Sequence, residues 1–97
     1  MALNNRQIRY LRGLTHKLNP IVMVGDKGLS ENIFNEIETA LDHHELIKVR
    51  IRTDRENRRE WMAQIAEKSK AEQVHSIGQV VCFYRRNPKK PVIELPA

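Results

Sequence analysis

The sequence predicts an α/β fold: one compact domain in which a roughly four-stranded mixed sheet is covered by helices. Two observations lead there. Segments with apolar residues three and four apart alternate with short β-branched or strictly alternating runs, in the order α-β-α-β-α-β-β. The 97 residues, 40% of them apolar, suffice for one core, and no repeat, low-complexity tract or linker divides them. Residues 1–97 are therefore read as a single domain, with 88–97 as an extended C-terminal tail.

The first helix runs from Asn5 to Leu18, where Ile8, Leu11, Leu14 and Leu18 keep helical spacing. Arg9, Arg12 and His16 fall on another face with Arg6 beside them, and Lys17 adds a cation near the end. Asn19 and Pro20 stop the helix, because the residue before proline is driven out of the helical region. Ile21 to Val24 is a continuous, mostly β-branched run, the pattern of a strand buried on both faces and seated mid-sheet. Ser30 is a good N-cap with Glu31 in the first turn, and Leu29 is placed to staple onto Phe34. Ile33, Phe34, Ile37 and Leu41 then carry a buried stripe to about His43.

LIKVRIR, residues 46–52, alternates strictly, with Ile47, Val49 and Ile51 on one face and Lys48, Arg50 and Arg52 on the other. Asp54 caps a third helix whose buried side is Trp61, Met62, Ile65 and Ala66. Arg55, Arg58 and Arg59 crowd the positive end of its dipole, a conflict that a bound phosphate would relieve and that Glu56 and Glu60 partly offset. Gln73 to Ile77 and Val80 to Tyr84, split by Gly78 and Gln79, read as a hairpin. Arg85, Arg86, Lys89 and Lys90 follow, and Pro88, Pro91 and Pro96 keep the end extended, with Val92, Ile93 and Leu95 able to lie against the body.

Seventeen Lys and Arg against twelve Asp and Glu leave a net charge of +5, so the partner expected is a polyanion, nucleic acid first and an anionic membrane surface second. No apolar run approaches the ~20 residues of a bilayer span. Arg6, Arg9 and Arg12 interrupt the place where a signal peptide carries its apolar stretch, and a cytoplasmic protein is expected. Cys82 is the single cysteine, which excludes an internal disulfide and a thiolate zinc cluster.

Between the second element and the second helix stands Gly25-Asp26-Lys27-Gly28. Glycines at both ends of a four-residue turn let a backbone approach closely, and Lys27 at the tip reaches a phosphate as a point charge. The helix that follows presents free N–H groups and its positive dipole end. The same spacing also occurs in plain tight turns, so the motif gains weight only from the cations around it. The other chemically tempting residues are weaker. His43, His44 and Glu45 are adjacent rather than at the i, i+4 spacing of helical metal ligands and fit a helix C-cap better. His16 and His75 read as isolated surface or turn residues, and Cys82 as a small apolar strand residue. No metal or cofactor is expected.

The stretches NPIVMVGDKGLS and HHELIKVRI, and within them Gly25 to Leu29 and His44 to Val49, resemble the chloroplast RNA splicing and ribosome maturation (CRM) domain, and the chain resembles its stand-alone bacterial YhbY-like form over nearly its full length. The resemblance implies an RNA-binding module with a fold similar to the C-terminal domain of bacterial translation initiation factor three. It also implies association with precursors of the large ribosomal subunit. Carried over by position, the RNA-contacting loop falls on Gly25, Asp26, Lys27 and Gly28, flanked by basic surfaces of the first helix and the Lys48 strand.

The expected contact set is thus the loop with Arg6, Arg9, Arg12, Lys17, Lys48, Arg50, Arg52, Arg85 and Arg86, acting as a non-catalytic monomer. Tyr10, Phe34, Trp61, Phe83 and Tyr84 mostly occupy core positions, with Tyr10 and Tyr84 expected half-buried and their hydroxyls in water. That leaves no aromatic platform, and shape and phosphate contacts to folded RNA are expected over base-by-base reading. Two alternatives stay open: an enzyme that cradles a phosphorylated small molecule in the GDKG turn, and a general nucleic-acid module acting on non-ribosomal targets.

Overall fold

The computed structural model describes residues 3–97. Its elements are α1 (Asn5–Thr15), β1 (Pro20–Val24), α2 (Glu31–His44), β2 (Leu46–Ile51), α3 (Arg55–Ser69), β3 (Glu72–Ile77) and β4 (Val80–Tyr84), in the expected order. Each helix starts at a side-chain cap that satisfies an otherwise orphaned amide. Asn4 Oδ1 accepts from the Gln7 N–H at 2.8 Å while Gln7 Oε1 accepts from the Asn4 N–H at 3.1 Å, a reciprocal capping box. Ser30 accepts from the Ile33 N–H and Asp54 from the Asn57 N–H.

α1 ends three residues earlier than its apolar spacing suggests. The Thr15 hydroxyl donates to the Arg12 carbonyl at 2.6 Å, and the N–H groups of Lys17 and Leu18 turn back to Leu14 and Thr15 in i→i+3 bonds that close the helix. Leu18 still joins the core from this turn. α2 stops at His44 because Glu45 takes φ 62°, a left-handed torsion rare outside glycine, while its N–H still donates to Leu41.

The sheet order is β1-β2-β4-β3, with β1 parallel to β2 and the remaining pairs antiparallel. α2 supplies the crossover between the parallel strands. Because the β3–β4 hairpin takes the other side of β2, β1 is left at the sheet edge. This corrects the mid-sheet reading of Ile21 to Val24: Val22 and Val24 are buried, but Ile21 and Met23 are 49% and 55% exposed. An apolar run alone does not distinguish a doubly covered strand from one whose outer face stays open.

Each sheet face carries its own core. α2 and α3 cover one face, where Val22, Val24, Ile47, Val49, Ile51, Val81 and Phe83 meet Ile37, Leu41 and Ile65. On the other face, Leu46, Val74, Cys82 and Tyr84 lie under Leu11, with Ile8, Leu14 and Leu18 of α1 and Ile93 and Leu95 of the tail packed around them. The alternation of LIKVRI assigns its residues to these two faces as expected, Ile47, Val49 and Ile51 inward and Lys48 and Arg50 toward the α1 side.

The tail is tied down by one carboxylate. Glu45, fully buried, accepts from the Val92 and Ile93 N–H groups through Oε1 at 2.7 and 2.6 Å, and from the Asn87 N–H through Oε2 at 2.6 Å. A buried carboxylate needs such donors, since desolvating an unpaired charge is prohibitive. Gln7 adds a bond to the Pro96 carbonyl. Ile93 and Leu95 thereby lie against the body, while Val92 stays 65% exposed.

Candidate nucleic-acid interface

Parallel β1 and β2 end on the same side of the molecule, so the turn after β1, the segment after β2, and the N-termini of α2 and α3 gather at one edge. The hairpin turn at Gly78 and Gln79 joins them, because β4 starts where β2 ends: the Ile51 N–H donates to the Gln79 carbonyl at 2.7 Å. Next to it the Arg52 N–H donates to the Val24 carbonyl at 2.8 Å, which holds Arg52 beside the start of the GDKG turn.

The two glycines of that turn serve different ends. The Gly25 carbonyl accepts from the Gly28 N–H at 2.9 Å, leaving Asp26 and Lys27 exposed at the tip. Gly28 has φ 73°, a torsion that favours glycine, and a Cβ there would lie 3.3 Å from Cζ2 of Trp61, so the space is tight as well. Trp61 sits in α3, whose first two turns, with Arg55, Arg58 and Arg59, therefore enter beside the loop. At Gly25, by contrast, nothing lies within 4 Å of a Cβ position and φ is ordinary. The fold does not require glycine there, and its absent side chain keeps the outer side of the turn clear.

Lys48 and Arg50 point from β2 to the open face, and Arg52 continues the row, spanning about 13 Å at strand rise. The C-terminal end of α1 comes to the Lys48 end of this row, where Pro20 at the start of β1 pairs with Lys48. Lys17, Ile21 and Lys48 line one hollow, and His16, Lys48, His75 and Cys82 line another of about 230 Å³. Burial and then the nearby charges of Arg12, His16 and Lys48 push the His75 pKa below its ordinary value. The two histidines read as isolated are thus neighbours in a cationic cluster, joined by β3 and the end of α1. Nothing local in the sequence signals this, because their separation is 59 positions along the chain (75 less 16).

Both ion pairs among the described residues belong to Arg85, which binds Glu38 and Asp42 and also donates to the Ser69 carbonyl. Its guanidinium therefore clamps α2 and the end of α3 to β4, in place of the free cation expected from sequence. Arg86 follows it at the end of the sheet opposite the loop, since β4 ends beside the start of β2. Arg6 and Arg9 are exposed on the early turns of α1, toward the tail. Arg58, one of the three arginines whose role the sequence left open, donates to the Thr53 carbonyl at 3.0 Å and is half-buried. Arg55 and Arg59 are exposed. Arg52 thus lies beside the loop, Arg50 and Lys48 lead back from it along β2, and Lys17 and Arg12 join at the Lys48 end of that row, whereas Arg6, Arg9, Arg85 and Arg86 lie elsewhere.

Two expectations about single residues resolve differently. Cys82 is buried beside Thr15, and burial pushes its thiol pKa up, away from the thiolate a nucleophile needs. Tyr84 departs from a water-exposed hydroxyl: it is 2% exposed with its hydroxyl buried and unpartnered, because α1 and the tail close over it, and burial raises its pKa. Tyr10 is 43% exposed. No three His, Cys, Asp or Glu residues gather as a metal site, and no helix is long and apolar enough to cross a membrane, among the described residues.

Known proteins resemble this chain over nearly its full length. The family model described as the CRS1 / YhbY (CRM) domain matches residues 3–85. A protein of Haemophilus influenzae named an RNA-binding protein is 44% identical over 96 residues, covering 98% of this chain and 96% of its own. A Bacillus subtilis relative, named a probable RNA-binding protein, is 35% identical over 95 residues, covering 97% and 99%. The solution structure of a hypothetical protein from Staphylococcus aureus superposes with a TM-score of 0.83 at 34% identity, covering 98% of this chain and all of that one.

Proposed function

Since the chain belongs to the CRS1 / YhbY (CRM) domain family, we propose that it is a non-catalytic RNA-binding protein that associates with precursors of the large ribosomal subunit and assists their assembly in the cytoplasm. The observation that carries this reading is a row of cations that starts beside the Gly25–Gly28 turn with Arg52 and runs back along β2 through Arg50 and Lys48 to Lys17 and Arg12 near the end of α1, none of which has a carboxylate partner among the described residues. Cations left unpaired at one surface attract a polyanion and release its counterions on binding.

In this reading Lys27 meets a phosphate at the tip of the turn, and the bare outer side of Gly25 lets the sugar-phosphate backbone approach. The first amides of α2, beyond the Ser30 cap, face the same edge and favour anions. Lys48, Arg50 and Arg52 extend the contact across the sheet. Phosphate contacts of this kind position an RNA without reading its sequence, which suits an assembly factor that recognises folded ribosomal RNA. The relatives named as RNA-binding proteins support the partner class.

Sedimentation of a cell extract at low salt tests the assembly role. Migration with free large subunits or their precursors, and absence from translating ribosomes, is the expected outcome. Recovery only at the top of the gradient, with RNA binding intact in purified protein, would direct the same surface to non-ribosomal RNA.

A further inference from the structure

Four residues lie in one register line across the whole sheet on the open face: Met23 of β1 pairs Arg50 of β2, Arg50 pairs Val80 of β4, and Val80 pairs Ile77 of β3. Residues directly opposite share a face, and strands lie about 4.8 Å apart, so the row spans roughly 14 Å. α1 and the tail cover the other end of this face, over Leu46 and Tyr84, and Thr15 and His16 at the end of α1 share a hollow with Val80 and Ile77 of the row. Met23 is 55% exposed and Ile77 66%, and Ile21, in the same strand as Met23, is 49% exposed. Met23 and Ile77, with half-buried Val80 between them, leave apolar surface on both sides of Arg50 along this line.

The charge beside the row names the occupant. Arg50 stands within it, Lys48 and His75 one line behind, and Arg52 at its outer end, with no carboxylate paired to any of them among the described residues. An acidic peptide would satisfy the cations but offers little flat apolar surface. A nucleotide strand offers both, with phosphates on the outside and the π-faces of unpaired bases within. Duplex RNA presents phosphates, 2′-hydroxyls and base edges but no open π-face, because its bases are stacked inside.

We propose that the row Met23–Arg50–Val80–Ile77 is an aliphatic platform for unpaired nucleobases of a single-stranded RNA segment, whose phosphates run over Lys48 and Arg52. Methionine and isoleucine supply the dispersion contact that aromatic rings supply in other single-strand binders, and the Arg50 guanidinium, planar and weakly hydrated, stacks on a base. The proposal deepens the RNA-binding reading and rests on it. It adds that the preferred target is a junction, a paired element at the loop continuing into an unpaired strand on the sheet.

The test is equilibrium binding of the full chain to two RNAs over a salt series: a hairpin with a long unpaired loop, and a fully paired duplex with the same number of nucleotides. The Met23→Ser/Ile77→Ser double variant alters only exposed side chains, and its thermal unfolding reports whether the fold is kept. It is expected to bind the looped RNA about tenfold more weakly, to bind the duplex as the wild type does, and to keep the salt slope, since no charge is removed. Wild-type affinity for the looped RNA, or the same loss on both RNAs, would overturn the platform. So would a loss of binding to phosphatidylglycerol vesicles with RNA binding intact, or a change in sedimentation showing that the row joins two copies. Lys27→Ala separates the two readings. If it weakens both RNAs while the double variant is inert, the platform falls and the loop stands; if it weakens neither while the double variant is selective, the loop falls and the platform stands. Should the double variant unfold, Ile77→Ser alone, at the most exposed position, is judged by the same selectivity.

Discussion

Gly28 packs against Trp61 so closely that the space for a Cβ lies 3.3 Å from the indole Cζ2. The contact joins the C-terminal end of the candidate RNA loop to α3. With φ 73° as well, Gly28→Ala introduces torsional strain and a steric conflict, and is expected to lower stability by about 1–2 kcal/mol in urea unfolding. Gly25→Ala meets neither obstacle and is expected to leave stability within ~0.5 kcal/mol while weakening RNA binding. The pair separates a glycine required by the fold from one that serves the ligand.

Lys27 is exposed, and no shape or stability argument holds it in place. Lys27→Ala is expected to weaken binding to structured RNAs alike and to reduce the magnitude of the log–log salt slope by about one. An unchanged affinity and slope in a filter-binding or fluorescence titration would remove the turn from the interface.

Glu45 holds three tail amides from a left-handed position at the end of α2. Glu45→Ala leaves those amides to find water and is expected to cost about 2–4 kcal/mol. Hydrogen exchange should show the Val92 and Ile93 amides losing protection ahead of the sheet. Glu45→Gln, which keeps an acceptor, should lose less.

Arg85 distinguishes a structural cation from a binding one. Its partners Glu38 and Asp42 are largely solvated, which limits the ion pairs, and the bond to the Ser69 carbonyl is the drier contribution. Arg85→Ala is expected to lower stability by about 1–2 kcal/mol and to leave the RNA salt slope as it is. Arg50→Ala should do the reverse.

His75 gives the cluster a pH dependence. Its pKa lies below 6.5 in the folded chain, from burial first and then Arg12, His16 and Lys48, so the unfolded chain binds its proton more readily. This contribution to stability is complete above the unfolded pKa, falls as pH drops through 6.5, and levels off below the folded pKa. A phosphate placed on Lys48 offsets the neighbouring charges. RNA binding is therefore expected to raise the His75 pKa and to tighten as pH falls, which NMR titration of its imidazole with and without RNA will show.

Local pattern alone determined most of the elements. Ser30 and Asp54 cap the helices expected of them, LIKVRI alternates onto two faces, and Gly78 turns the hairpin with φ 57°. These features need only neighbours within a few residues, and so does the exposed tip of GDKG. The motifs of that turn and of HELIKV likewise carried the family resemblance. Tertiary structure decided what depends on pairs far apart in the chain. It placed β1 at an edge and so left Ile21 and Met23 uncovered, and it brought His16 beside His75. It also bound Arg85 to Glu38 and joined Glu45 to Ile93. Side-chain periodicity reports which residues share a face of one element; which faces are then covered follows from strand order, and that is chosen by the packing of the whole sheet.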